Sequence, residues 1–266
     1  MAEARRALPA AAILVAHVMA LSALARMRRA DWVAFAVFAT LISLAVGAGL
    51  HRYFAHRAFR TSRAFQLILG LLGGAFFGDP VGFAGKHRLH HRYSDTPRDP
   101  HSPDEGAWHC WLGHLVDDRC SERAVLAAAH DLVRYPELMW LHRFFYVPGI
   151  AAVFLVAVFG GYRLVAAGYA LAWCVMAFHG PALVNYFCHR VGRRRYEIPD
   201  RSTNNVLLGV LLLGEGWHNN HHRFPRAARA GFRWYEIDLI FYGLKLLSWL
   251  GLVWDLREPP AARRLA

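Results

Sequence analysis

Charge is what this chain has least of. Only 19% of its 266 residues are Asp, Glu, Lys or Arg, against about 25% in soluble domains. Acids are scarcer than bases, 19 against 31, and the net charge is +12. With 56% hydrophobic residues, a disordered chain is excluded, since disorder needs low hydrophobicity. Cysteine is sparse as well. Cys110, Cys120, Cys174 and Cys188 show no C-x2-C spacing, which excludes a zinc ribbon and a disulfide-stapled scaffold. There is no internal repeat, low-complexity tract or long Pro/Gly/Ser linker, so residues 1–266 read as one domain. What remains is a compact membrane protein with several spans. Its positive charge follows from topology, and no nucleic-acid partner is expected.

A span needs roughly 20 mostly apolar residues. Four stretches qualify: residues 9–25, 31–50, 144–160 and 162–184. A fifth, residues 65–84, contains Asp79-Pro80 and five glycines, which suits a buried or re-entrant helix better than a lipid-exposed one. Residues 205–213 and 234–254 are apolar but broken by Glu215 or interleaved with Glu236, Asp238 and Lys245. These read as amphipathic helices at the interface. With four spans, 27 of the 31 Lys and Arg fall on the side of the termini, and Arg26, Arg28, Arg29 and Arg163 on the other. The positive-inside rule then makes the first side cytosolic, in a bacterial inner membrane or an ER-type membrane. Were residues 65–84 a full span, Lys86, Arg88 and Arg92 would lie outside. Arg5-Arg6, an apolar core and Ala23-Leu24-Ala25 also fit a cleavable signal. The first span is expected to be retained, because nothing downstream reads as secreted. The expected fold is an all-α membrane protein with four transmembrane helices and a cytosolic helical cap.

Histidine is what the chain has in excess, sixteen in all. His51 and His56 form H-x4-H at the inner end of the second span. His87, His90 and His91 form H-x2-H-H, and His218, His221 and His222 repeat it in the tail. On a helix, offsets of 0, 3 and 4 lie on one face, and all three clusters share one side of the membrane. That is the arrangement of a metal centre fed by several helices. Eight imidazoles exceed the needs of one metal and fit two, whereas a structural zinc takes four ligands. Imidazole suits iron, copper, zinc or nickel. Redox chemistry needs iron or copper, and two irons beside apolar helices point to oxygen activation against a lipid-like substrate.

These clusters resemble the three histidine boxes of integral-membrane fatty acyl desaturases, most closely the stearoyl-CoA type Δ9 group. The resemblance extends to Ser94-Asp95-Thr96, Asp99-Pro100-His101-Ser102-Pro103, Asn204-Asn205, Gly214-Glu215-Gly216-Trp217 and residues 246–252, covering about residues 47–256. It implies an enzyme that uses O2 as co-substrate to place a cis double bond in a saturated acyl chain. Two Fe ions are the implied cofactor, with Zn as a substitute in purified protein. The resemblance implies a ninth ligand, His189, and a metal-bound water held by Asn185. His17, His109, His114, His130, His142 and His179 match no box and read as structural or interfacial. His101 reads as bracing its loop. Animal members place Arg-Asp ahead of the second box to hold the CoA head group, whereas this chain has Gly85-Lys86. Lys86 alone is then left to attract a phosphate, and the acyl carrier is a thioester or a lipid. No His-Pro-Gly-Gly haem motif is present. Electrons must come from a separate donor: a ferredoxin, a rubredoxin, or a b-type cytochrome with its reductase.

Two other readings share these residues. A histidine-box hydroxylase of an alkane, carotenoid or sterol has the same ligands but a hydroxylated product. A metal transporter or sensor would place ionisable residues mid-span on a pathway, whereas the box histidines sit at span ends.

Overall fold

The computed structural model describes residues 2–113 and 120–260, with backbone alone for residues 2–9. Among them the only sheet is a two-residue ribbon, Arg60–Thr61 (β1) antiparallel to Val253–Trp254 (β2). Apart from the isolated bridges Arg193–Asn204 and Asn204–Trp217 and the connecting loops, the described residues are helical. Helix α1 spans Ala2–Leu24, and α2 spans Arg29–Ser43. Without a break, α2 continues as a π-helix over Leu44–Ala55, giving one 27-residue helix. This outruns the expected end at residue 50, because the first charge beyond it does not face water. Arg52 is 3% exposed and donates to the Ala228 carbonyl, Asp238 and Glu215.

The π geometry matters for chemistry. The His56 N–H donates to the His51 carbonyl at 3.2 Å, a bond across five residues. In an α-helix, five residues would turn the two rings about 140° apart. The π turn brings His51 and His56 to one side, and π turns recur at functional sites for this reason.

Residues 65–84 are not one helix. Helix α3 (Arg63–Phe76) and α4 (Pro80–Tyr93) meet at 82°. The first ends at Phe76, capped by Phe77, and Asp79 starts the next: its carboxylate accepts from the Gly82 N–H at 2.7 Å, and Pro80 occupies the first turn, where its missing N–H costs nothing. Helices α5 (Glu122–Ala128) and α6 (Pro136–Arg143) flank α4. So close is α5 that a Cβ on Gly85 would lie 2.4 Å from the Val125 carbonyl oxygen. Any larger residue at position 85 would push the two helices apart.

Helix α7 covers Val147–Arg163. It starts at Val147 rather than 144 because Pro148 fits only the first turn of a helix. Gly161, with φ +65° and ψ −176°, breaks the helical run, and Leu164–Ala170 packs against α7. The chain proceeds through Trp173–His179 into α8 (Gly180–Phe187). Ala152 and Val156 of α7 share one apolar cluster with Ile42, Phe76, Tyr169 and Ala172. The turn is tied to the start of α2: the Arg163 Nε donates to Asp31 at 2.9 Å, and its Nη2 to the Arg26 carbonyl. Arg26, Arg28, Arg29 and Arg163 therefore gather at the end of α2 remote from His51.

By length and composition, Arg29–Ala55 and Val147–Phe187 can cross a membrane, or three segments can if the bent α3–α4 pair is one. Ala10–Leu24 is a shorter apolar helix. Exposed Leu14, Val18, Val33, Val37, Ile150, Phe154 and Phe159 form the apolar exterior that a bilayer covers. The chain is a membrane protein.

Toward the C-terminus lie α9 (Val206–Leu211), α10 (His218–Arg223) and α11 (Leu239–Trp249). The expected helix over residues 234–254 is confined to 239–249. Asp238 stands outside it as its cap, accepting from the Phe241 N–H at 2.9 Å and from Arg52.

A carboxylate fastens α4 to the end of α2. Arg88 of α4 donates to the carbonyls of Phe54 and Ala55, and Arg88 and Arg57 both donate to Asp131. Burial raises the Asp131 pKa, but those hydrogen bonds and charges outweigh it and hold it at about 2, below the ordinary 3.8. A depressed carboxyl contributes stability in full above its unfolded value and loses it as pH falls through the folded one. Stability is expected to decline between about pH 4 and pH 2. Asp131→Asn is expected to cost about 1–3 kcal/mol at neutral pH and to flatten that acid limb. Denaturant unfolding in detergent across pH checks both.

Candidate metal centre

Nine histidines converge, and they sort into two groups. His51, His56, His87, His91 and His221 have ring nitrogens all within 4.8 Å of one another, as do His90, His189, His218 and His222. Nε2 atoms face each other at 2.9 Å in His56–His87 and at 3.0 Å in His51–His221, His87–His91 and His91–His221. In the second group His189 and His218 meet at 3.1 Å.

Each H-x2-H-H box serves both groups. His87 and His91 enter the first while His90 enters the second. In α10 the assignment reverses, with His218 and His222 in the second and His221 in the first. The expectation of three rings on one face is corrected here by helix geometry. Residues i and i+4 lie about 40° apart, whereas i+3 and i+4 lie about 100° apart. The i, i+4 pair therefore closes on one centre and the i+3 ring turns to the other. His91 and His222 stack where the groups adjoin, with ring centroids 4.3 Å apart.

Four carboxylates stand behind the rings. The Nδ1 atoms of His51, His90, His189 and His222 contact Glu215 at 2.6 Å, Asp99 at 2.9 Å, Asp95 at 3.1 Å and Asp200 at 2.9 Å. A carboxylate accepts from Nδ1–H, which fixes the tautomer and leaves the Nε2 lone pair facing inward. Asp95, His189 and Asp200 also approach one another, but these two acids are occupied by ring Nδ1 atoms and form no third centre. Burial raises the Glu215 pKa, yet the neighbouring His51 ring and Arg52 guanidinium bring it down to about 2. Burial, then neighbouring imidazoles, push His218, His221 and His222 well below the ordinary histidine value. Neutral imidazole is the form that binds metal. The Nε2 atoms of His90 and His222 are buried with no protein partner. A metal ion satisfies them, so the residues fit a two-metal site.

The helix carrying the third box is held from behind. Asn219 and Asn220 are fully buried. Asn219 accepts from the N–H groups of Arg195 and Tyr196, and Asn220 bonds Asn204, Ala230 and Glu236. Sequence reasoning assigned these asparagines and the four acids no role. The signal was present in the paired Asn between His218 and His221, whose amides a solvent-facing turn does not need.

The other expected residues fall as follows. Asn185 lies within α8, half-buried, and its carboxamide makes no hydrogen bond to protein among the described residues. Lys86 is half-buried on α4 and lines neither cleft beside the histidines. His17 and His179 face each other at 3.2 Å, and Trp111 donates to His179. His109 bonds the Pro100 carbonyl, His130 the Ala127 carbonyl and His142 Asp79. None of these joins a metal group. His114 lies outside the described residues. The His101 backbone N–H donates to Asp99, which braces the loop below His90.

Asp99 allows a direct test. It is fully buried beneath His90 and its other oxygen accepts from the Asp95 N–H at 2.9 Å. Asp99→Asn removes the charge and turns an amide N–H toward one of these donors. A loss of about 10–100-fold in metal affinity or turnover is expected, read as iron retained after chelator dialysis. Unchanged retention and turnover would reduce Asp99 to a loop brace.

Comparison with known proteins agrees with this site. Residues 30–247 match the family model described as "Fatty acid desaturase". An acyl-CoA C20 Δ5-desaturase of Anemone leveillei is 38% identical over 234 residues, covering 86% of this chain and 74% of the relative. The sn-1 stearoyl-lipid 9-desaturase of Anabaena variabilis is 37% identical over 217 residues, 80% and 79% of the two chains. Delta-9 acyl-lipid desaturase 2 of Arabidopsis thaliana is 34% identical over 245 residues, 88% and 76%. These relatives divide by bond position and by carrier, so a stearoyl-CoA type Δ9 assignment does not follow from similarity alone.

Proposed function

Because the chain belongs to the fatty acid desaturase family, we propose that it places a Δ9 cis double bond in a saturated acyl chain. The observation that carries this reading is the division of nine imidazoles into groups of five and four. In this reading His51, His56, His87, His91 and His221 hold one iron and His90, His189, His218 and His222 the other. When bound, the pair supplies the O2-dependent removal of two hydrogens, a redox step that zinc in the same ligands cannot perform. Glu215, Asp99, Asp95 and Asp200 keep the Nδ1 protons of their histidines on the outer side. The Asn185 carboxamide holds a water at the four-histidine group. His90, His189 and His218 are only 1–3% exposed, so bulk water is kept from the reacting chain.

The four-span topology belongs to the same reading, with one domain over residues 1–266. Gly161 and the Arg163–Asp31 pair support it by setting the 161–163 turn beside the start of α2. The positive-inside count puts the histidine boxes and both termini in the cytosol. The relatives include Δ5 and Δ9 enzymes at similar identity, so the Δ9 position rests on the likeness of the sequence around the histidine boxes to the Δ9 group. For the carrier, Lys86 attracts the phosphate of a thioester or a lipid head group. An Arg in place of Gly85 is excluded by the Val125 carbonyl, so the bidentate phosphate grip that arginine offers is absent at that position.

The test is expression in a desaturase-deficient host with fatty-acid profiling. Cis-Δ9 products should appear in lipids, with two irons per chain by elemental analysis of the purified protein. Products bearing a hydroxyl would favour the hydroxylase, and a Δ5 or Δ7 bond would overturn the position. Iron-loaded protein with no product would overturn the activity.

A further inference from the structure

Two clefts open beside the metal groups, and they differ in free charge. The first, lined by His56, Arg57, Arg88, His130, Asp131 and Arg226, has two of its three arginines committed to Asp131. The second, about 420 Å³, is lined by His91, Arg92, Tyr93, Asp200, His222 and Arg223 among others. Its one acid, Asp200, is held by His222. Neighbouring Glu197 pairs with Arg194. Arg92 and Arg223 are exposed, and neither has an ion-pair partner among the described residues. Arg98 adds a third cation, stacked 4.1 Å over the Tyr93 ring. The rim is therefore cationic, and its free charges have no partner among the described residues.

The wall of this cleft is its second feature. His91 belongs to the five-histidine group and His222 to the four-histidine group, and their rings stack at 4.3 Å. No other contact between the groups pairs parallel rings so closely, and this one lines an opening to solvent. A surface route that ends on both centres at once has little use for a fatty chain. It suits the arrival of single electrons.

We propose that this cleft is the docking site of an acidic one-electron carrier protein, delivering electrons through the stacked His91–His222 pair. The proposal rests on the desaturase reading. For each double bond the carrier is oxidised twice, by one electron each time. Those two electrons, two protons and the two hydrogens of the acyl chain reduce one O2 to two waters. Arg92 and Arg223 steer the carrier by charge complementarity, which acts on encounter rate and orientation and weakens with salt. Tyr93, Ile198 and Pro199 give its edge an apolar contact.

The test uses the full, iron-loaded chain in nanodiscs, with a plant-type [2Fe–2S] ferredoxin, an acidic one-electron carrier, as the probe. Binding is measured by surface sensor at several salt concentrations, alongside reduction of the bound iron. Ferredoxin should bind at low salt and weaken as salt rises. The double variant Arg92→Glu, Arg223→Glu should raise its Kd at least about tenfold and flatten the salt dependence. Its iron content and its reduction by dithionite should stay as in the unmodified protein, which separates lost docking from a damaged site. Arg123→Glu, on α5 and outside the cleft, should leave ferredoxin binding unchanged. Equal Kd for the double and unmodified proteins would overturn the proposal. So would no binding at low salt, or a charge reversal that weakens binding to anionic vesicles alone, which would make the rim a lipid-head-group site. If ferredoxin reduces the iron through Arg92 and Arg223 but no double bond forms, the docking site stands and the desaturase reading falls.

Discussion

His221→Ala is expected to abolish unsaturated product while the protein still inserts and folds. Its Nε2 lies 3.0 Å from the Nε2 of both His51 and His91, so it links the first and second boxes within the five-histidine group. Losing it removes a ligand from a set whose other members cannot move to replace it, since α2, α4 and α10 are each fixed by separate contacts. Losses from outer-sphere partners alone run to about 10–100-fold, and loss of a ligand should exceed that. The packing penalty is modest by comparison. Deleting one buried ring costs about 1–3 kcal/mol, while the spans are held by the apolar clusters around Leu50 and Ile42. Iron per chain should drop from two toward one. His130→Ala is the informative companion. His130 lines the cleft beside His56 but sits outside both groups, so its removal should leave product and iron intact. Equal effects of the two substitutions on product per folded protein would break the ligand assignment.

The histidine boxes were legible because their spacing is local. H-x2-H-H puts its three rings within two turns of one helix, and no knowledge of tertiary structure is needed to see a metal-binding pattern. The split between two centres was hidden because it depends on how α4 and α10 face each other. H-x4-H carried the opposite difficulty: its spacing fits an α-helix poorly, and only the π turn at Leu44–Ala55 makes sense of it. The order of the apolar stretches was legible, but their ends were not, and of the four expected spans two helices, or three with the bent α3–α4 pair, are long and apolar enough to cross. Pro148 trims one start, and Arg52, neutralised by Asp238 and Glu215 from distant segments, lets another helix run on to Ala55. The outer carboxylates are the largest omission. Asp95, Asp99, Asp200 and Glu215 lie at no fixed offset from the rings they serve: His189 and Asp95 are 94 residues apart. Such pairings belong to the fold, and sequence spacing does not express them.

Asn185→Ala is expected to keep both irons and lose about 10–100-fold in turnover. Asn185 precedes His189 by four residues, in the last turn of α8, and His189 lies just beyond the helix end. The four-histidine group has one ligand fewer than its neighbour, and a catalytic metal needs a place for water or substrate. A neutral carboxamide is a weak ligand, so it can bond a water there without displacing it. A capping role is the plain alternative, and the structure does not favour it. The residue ending α8 is Cys188, whose N–H donates to the Val184 carbonyl, and Asn185 is interior to the helix, with no cap hydrogen bond from its side chain. Alanine is a better helix former than asparagine by up to about 0.7 kcal/mol, so the variant should fold at least as well. Turnover normalised to iron then isolates the chemistry. Asn185→Asp supplies a carboxylate that binds metal directly, and its spectrum under a cobalt substitution should shift while that of Asn185→Ala shifts less. Unchanged turnover per iron in Asn185→Ala would remove the carboxamide from the site.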